Sequence, residues 1–164
     1  MASSASVSEK PLYKGSCHCG WVTYTVRLDF ANPEPSLCGA SATKCNCTIC
    51  HKAGYLLADP GPDGDFKVLS PPEGESALAD YTYGSHKVHH PFCPKCGVRC
   101  FLRGFYVWEG KEVAFMRVNA LTLDGRVDGA PMDDLRTLKI KYWDGKGENW
   151  TVAASDEPYE GGVM

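Results

Sequence analysis

The sequence has few of the features that mark a nucleic-acid binder, a membrane protein or a repeat protein. No four basic residues run together and the net charge is −3, so no basic face is on offer and no nucleic-acid partner is expected. No stretch approaches 18 apolar residues, so a bilayer-spanning helix is excluded from the reading and no membrane partner is expected. Residues 1–9 are rich in Ser and Ala but have neither a basic start nor an apolar run, so they do not read as a secretory leader. Internal repeats, low-complexity blocks and linkers long enough to split domains are also missing. A chain of 164 residues without these features is expected to be one domain with its own core. The expected division is a flexible leader over residues 1–12, a folded domain over 13–152 and a tail over 153–164.

A sustained helical period is lacking too. No window holds a 3.6-residue repeat with caps at both ends, whereas short β-branched and aromatic runs recur. Residues 21–28 alternate with rough period two. Further strands are expected over 55–58, 66–69, 78–83, 87–92, 98–102 and 113–118, with turn-rich Pro/Gly/Asp stretches between them. One short helical turn is expected over 132–138, after Pro131. The fold class is therefore mainly β.

What is abundant is cysteine. Nine cysteines in a chain with no secretory leader argue for metal binding in a reducing compartment rather than for disulfides, and the cytoplasm is the expected location. Seven fall in three clusters: Cys17-His18-Cys19, Cys45-Asn46-Cys47-Thr48-Ile49-Cys50 and Cys93-Pro94-Lys95-Cys96-Gly97. The last is a knuckle whose spacing sets two thiolates on one side of a tight turn, although a redox pair has the same spacing. A structural zinc takes four ligands, and Cys17 and Cys19 are the sulfurs available to join Cys93 and Cys96. That leaves Cys45, Cys47 and Cys50 as a three-ligand set with an open fourth position, the arrangement of a catalytic zinc. Other groupings of the seven sulfurs fit the spacing as well. A fourth protein ligand from Cys38, His51, His89 or His90 would instead close the second site.

The remaining candidates have plainer readings. Cys100 lies in a strand pattern and is expected to pack in the core. His18, between two ligands, is expected to face solvent. Alternation turns His89 and His90 to opposite faces of one strand, so one of them can approach a metal site. His51 or His89 is the expected acid or base beside the open zinc.

The order and spacing of the clusters resemble the glutathione-dependent formaldehyde-activating enzyme family, also named for its centromere protein V members. The resemblance rests on Gly15-Ser16-Cys17-His18-Cys19-Gly20, on Cys45 to Cys50, and on Phe92-Cys93-Pro94-Lys95-Cys96-Gly97. It extends through Arg117-Val118-Asn119 to Tyr142-Trp143-Asp144-Gly145. It implies an Mss4-like fold of small antiparallel sheets organised around two zinc ions per chain. It also implies carbon–sulfur lyase activity on a small-molecule thiol and its aldehyde adduct, with glutathione and formaldehyde as the pair. By the same resemblance Cys17, Cys19, Cys93 and Cys96 hold the structural zinc. Cys45, Cys47 and Cys50 hold the second, beside the thiol site. Family members carry two or three arginines after the triple; here His51-Lys52-Ala53-Gly54-Tyr55 follows, so Lys52 is the basic residue left to meet a glutathione carboxylate. Two other functions fit such a chain: a zinc enzyme of another reaction type, such as a hydrolase or dehydratase, or a non-catalytic zinc module that binds a partner protein. A pocket reaching an open metal position would favour an enzyme, and an exposed apolar patch would favour the module.

Overall fold

A computed structural model of the chain describes residues 10–62 and 64–162. Most of the expected leader and the last two residues of the expected tail lie outside the described residues. Among the described residues there are eleven strands and one α-helix: β1 (Leu12–Ser16), β2 (Thr23–Arg27), β3 (Ala42–Cys45), α1 (Thr48–Ala53), β4 (Leu57–Ala58), β5 (Lys67–Ser70), β6 (Ala79–Tyr81), β7 (Val88–Phe92), β8 (Phe101–Trp108), β9 (Lys111–Asn119), β10 (Leu123–Arg126) and β11 (Ile140–Trp143). They form a four-stranded sheet in the order β10-β1-β2-β5 and a seven-stranded sheet in the order β11-β3-β4-β9-β8-β7-β6. The mainly β expectation holds. The sheets are antiparallel except at one edge, where β11 runs parallel to β3. Among the described residues no helix is long and apolar enough to cross a membrane.

Period-two alternation decides which residues meet between the sheets. Tyr24 and Val26 of β2 point inward and are fully buried, as are Tyr13 of β1, Phe101 of β8 and Val118 of β9. Phe66 bridges the sheets, its ring centroid 5.3 Å from that of Tyr24 and 4.7 Å from that of Phe101. Each such side chain contributes about 1.5–3 kcal/mol by leaving water. Tyr24 completes its burial with a 2.8 Å hydrogen bond between its hydroxyl and Thr122 Oγ1.

The Tyr24 ring fits because residue 15 lacks a side chain. A Cβ there would lie 2.3 Å from Tyr24 Cζ and 2.7 Å from the Thr122 carbonyl oxygen. Gly15→Ala is therefore expected to destabilise the domain by about 1–3 kcal/mol, the usual cost of forcing extra volume into a packed core. A lowered urea midpoint at unchanged slope is the expected reading; an unchanged midpoint would show that Tyr24 can move aside.

Four strands and a helix lie outside the sequence expectation. β1, β3, β10 and β11 are four or five residues long, and β1 and β10 each contain a glycine, which dilutes any strand signal. The six-residue α1 is too short to display a helical period. In the stretch expected to be helical near 132–138, a 3-10 turn forms over Leu135–Thr137, with the Asp134 carboxylate accepting from the Arg136 amide. The expected strand over 98–102 begins three residues later and runs on to Trp108, because it pairs with β9 along its whole length.

Candidate metal centres and their surroundings

Two groups of sulfurs converge. Cys17, Cys19, Cys93 and Cys96 form one and Cys45, Cys47 and Cys50 the other, with the Sγ atoms of each group within 4.8 Å of one another. The four-plus-three grouping read from the sequence is the grouping in space.

The four-cysteine group is made by two turns of the same design. After β1, the Cys17 amide donates to the Val22 carbonyl at 3.0 Å and the Gly20 amide to the Cys17 carbonyl at 3.0 Å. After β7, the Cys93 amide donates to the Val98 carbonyl at 3.0 Å and the Gly97 amide to the Cys93 carbonyl at 2.8 Å. Each turn passes through positive φ at its glycine, 73° at Gly20 and 76° at Gly97, a conformation costly for any other residue. Cys17 Sγ lies 3.6 Å from Cys19 Sγ, which lies 3.7 Å from Cys93 Sγ. A tetrahedral zinc with Zn–S bonds of about 2.3 Å spaces its sulfurs about 3.8 Å apart, so the donor set fits that ion. Because β1 belongs to one sheet and β7 to the other, a metal held here joins the sheets. Cys17 and Cys93 are buried, and burial pushes the Cys93 thiol up to about 11. Burial also acts on Cys96, but backbone amides of Val98 and Cys19 and the thiols of Cys93 and Cys19 outweigh it and hold that thiol near 6.

The triple is local. Cys45 ends β3, Cys47 precedes the first turn of α1, and Cys50 lies within the helix and is the deepest of the three. Gly54 closes the helix, its amide donating to the carbonyls of Cys50 and His51. The Cys47 amide donates to Cys45 Sγ at 3.4 Å. Hydrogen bonds from the Cys45 and Cys50 thiols hold Cys47 far down, at about 2. The reverse side of those bonds pushes Cys50 up, through Cys45 first and then Cys47, and Cys45 up through Cys47. Like charges this close disfavour one another, so a bound cation is what would let all three sulfurs ionise together. No further Cys, His, Asp or Glu among the described residues joins the triple. Cys38, His51, His89 and His90 are thus outside it.

Two walls flank the triple. On one side Cys50 packs against a cluster with Tyr55, Leu57 and Leu102. Tyr55 Oη lies 3.3 Å from Nδ1 of the buried His90. Rings stack outward from there: Tyr55 on His90 at 6.1 Å, His90 on Tyr83 at 5.9 Å and Tyr83 on Tyr81 at 5.8 Å. Burial lowers the His90 pKa, helped by the Arg99 charge and opposed by Cys47. The Tyr83 phenol is pushed up by burial and then by the charges of Cys47, Cys50 and Cys45. On the other side stands the segment after β11. A Cβ on Gly145 would lie 2.4 Å from Cys45 Sγ and 3.0 Å from Cys47 Cβ. Asn46, Asp144, Lys146, Gly147, Tyr159 and Glu160 line an open hollow of about 560 Å³ beside it.

The other sequence candidates fall as follows. His51 and Lys52 are exposed on α1. His89 is exposed, with Nδ1 2.5 Å from Asp80 Oδ2, while His90 on the opposite face turns inward beside Tyr55. Of the two strand histidines, the structure thus brings His90, not His89, to the triple's flank. Cys100 is buried in the core and Cys38 is exposed. Tyr83, Asn46 and Gly145 had no role in the sequence reading. Asn46, lying between two ligands, and Gly145, inside the Tyr142-Trp143-Asp144-Gly145 segment, carried a signal of position only; Tyr83 carried none.

The family model described as glutathione-dependent formaldehyde-activating enzyme matches residues 12–137. A crystal structure of a Rhodobacter sphaeroides protein is similar at 28% identity and a TM-score of 0.49, covering 68% of this chain and 88% of that one.

Proposed function

Because the chain belongs to the glutathione-dependent formaldehyde-activating enzyme family, we propose that it is a zinc-dependent carbon–sulfur lyase that makes and breaks the bond between a thiol sulfur and an aldehyde carbon. Glutathione and formaldehyde are the first pair to test. The observation that carries the reading is the triple Cys45, Cys47 and Cys50, converged without a fourth protein donor among the described residues. Zinc bound by the triple supplies a Lewis acid and favours the thiolate form of a sulfur ligand, and with three anionic ligands it suits sulfur better than hydroxide generation.

The chain's own residues have four tasks. Cys45, Cys47 and Cys50 fix the metal, and the segment at Gly145 limits approach from one side. The ring stack of Tyr81, Tyr83, His90 and Tyr55 forms an aromatic wall on the other. Joining a thiol to an aldehyde leaves an oxygen that must gain a proton, and the reverse reaction must remove it. We assign that transfer to His90, whose charged form burial disfavours and whose Nδ1 lies 3.3 Å from the Tyr55 hydroxyl. It takes the thiol's proton as the C–S bond forms and passes it to the oxygen, and the reverse reaction runs the same path backwards. His51 faces solvent and His89 is engaged by Asp80, so neither is as well placed.

Isothermal titration of glutathione, with and without formaldehyde, tests this reading against the wild type and Cys50→Ser. Binding that disappears in Cys50→Ser while the variant keeps its fold is the expected result. A fully zinc-loaded wild type that binds neither glutathione nor the mixture points to another small-molecule substrate. The exposed side chains of Tyr106, Val107 and Trp108 near the β8–β9 turn are the feature that favours the non-catalytic module. That reading requires a protein ligand closing the second metal.

A further inference from the structure

We propose that Asn46 is a positioning residue that fastens the 144–147 segment onto the cysteine triple, making that segment a fixed wall of the second metal site. Asn46 is buried although both its neighbours in sequence are partly exposed cysteines. Its side chain uses both ends. Nδ2 donates to Asp144 Oδ1 at 2.8 Å, and Oδ1 accepts from the Lys146 amide at 2.9 Å. The Asn46 amide donates to the Trp143 carbonyl at 3.2 Å, which continues the parallel β3–β11 pairing past Cys45. Asp144 is tied in turn to its own loop: Oδ1 accepts from the Gly147 amide at 3.2 Å, and its carbonyl from the Asn149 amide at 3.1 Å.

These bonds converge on a place where space is tight. With a hydrogen atom as its side chain, Gly145 lets the backbone come down on the Cys45 sulfur; even one methyl there would lie 2.4 Å from Sγ. The residue between two ligands and the loop over the first ligand thus hold one another in register. Partners that orient a metal's ligands from outside commonly change its affinity by about 10–100-fold when removed. Asn46 and Asp144 act on the triple through the backbone, Asn46 as the residue between Cys45 and Cys47 and Asp144 as the residue before Gly145.

This inference rests on the second metal of the proposed function but not on its reaction. The test is zinc retention against a chromophoric chelator for the wild type, Asn46→Ala, Asp144→Ala and the double variant. Asp144→Ala breaks the same bond from the loop side and leaves the turn between the cysteines intact. One of two zinc ions is expected to be lost about tenfold to a hundredfold more readily in each single variant. The other zinc and the thermal midpoint should stay near wild type. Residues acting through one bond are non-additive, so the double variant should be little worse than either single. Additive losses, equal loss of both zinc ions, or single variants that keep wild-type affinity at both sites would overturn the positioning role. A wild type that carries one zinc would overturn the second metal, and the positioning role with it.

Discussion

Cys93→Ser, or Cys17→Ser, is expected to leave the domain unfolded or insoluble. The two cysteines come from turns after β1 and β7, in different sheets, and a metal held by their group closes a chain segment of more than seventy residues. Zinc bound by such a set supplies apparent free energy on the order of 10–16 kcal/mol, of the same size as the whole stability of a typical domain. Removing one sulfur also leaves buried neighbours without the cation that balances them, and Cys17 and Cys93 are the buried pair. The check is far-ultraviolet circular dichroism with elemental analysis of the same sample. A Cys93→Ser protein that melts like the wild type with full metal content would show that the four-sulfur group is not what joins the sheets.

Cys47→Ser should behave in the opposite way and remain folded with less metal. The triple spans only the end of β3 and the first turn of α1, so a metal there closes a very short loop and adds little to long-range order. Its sulfurs lie at the margin of the core, partly exposed, while Tyr13, Tyr24, Phe101 and Val118 are buried without reference to it. Purified without chelator, the wild type is expected to carry close to two zinc ions per chain and Cys47→Ser close to one. A wild type with at most one zinc, whose three local thiols all titrate freely, would remove the second site.

Comparison of these variants separates what lay in the sequence from what needed the fold. The cysteine spacings showed which sulfurs share a turn, because a turn that presents two sulfurs to one metal is a local object, set by one or two intervening residues. That the turns after β1 and β7 meet was decided by the packing of the two sheets. The mainly β character was equally local, carried by runs such as residues 21–28 whose alternation survives in the buried Tyr24 and Val26 of β2. The choice between His89 and His90 was half legible: alternation put them on opposite faces, but only the pairing of β7 with β6 and β8 decided which face was inner.

The surroundings of the triple were decided by tertiary structure. Tyr83, His90 and Tyr55 become one stack because the neighbouring β6 and β7 meet the end of α1, with Tyr55 and His90 35 residues apart along the chain. Gly145 matters through its closeness to a sulfur a hundred residues earlier, and Asn46 through a bond to Asp144 across the same interval. No residue type or spacing announces such contacts, since they arise when β11 docks in parallel on β3. Which cysteines share a turn was a property of short segments and could be read from them. The walls that give those ligands a direction of approach are long-range contacts, which exist only once both sheets have packed.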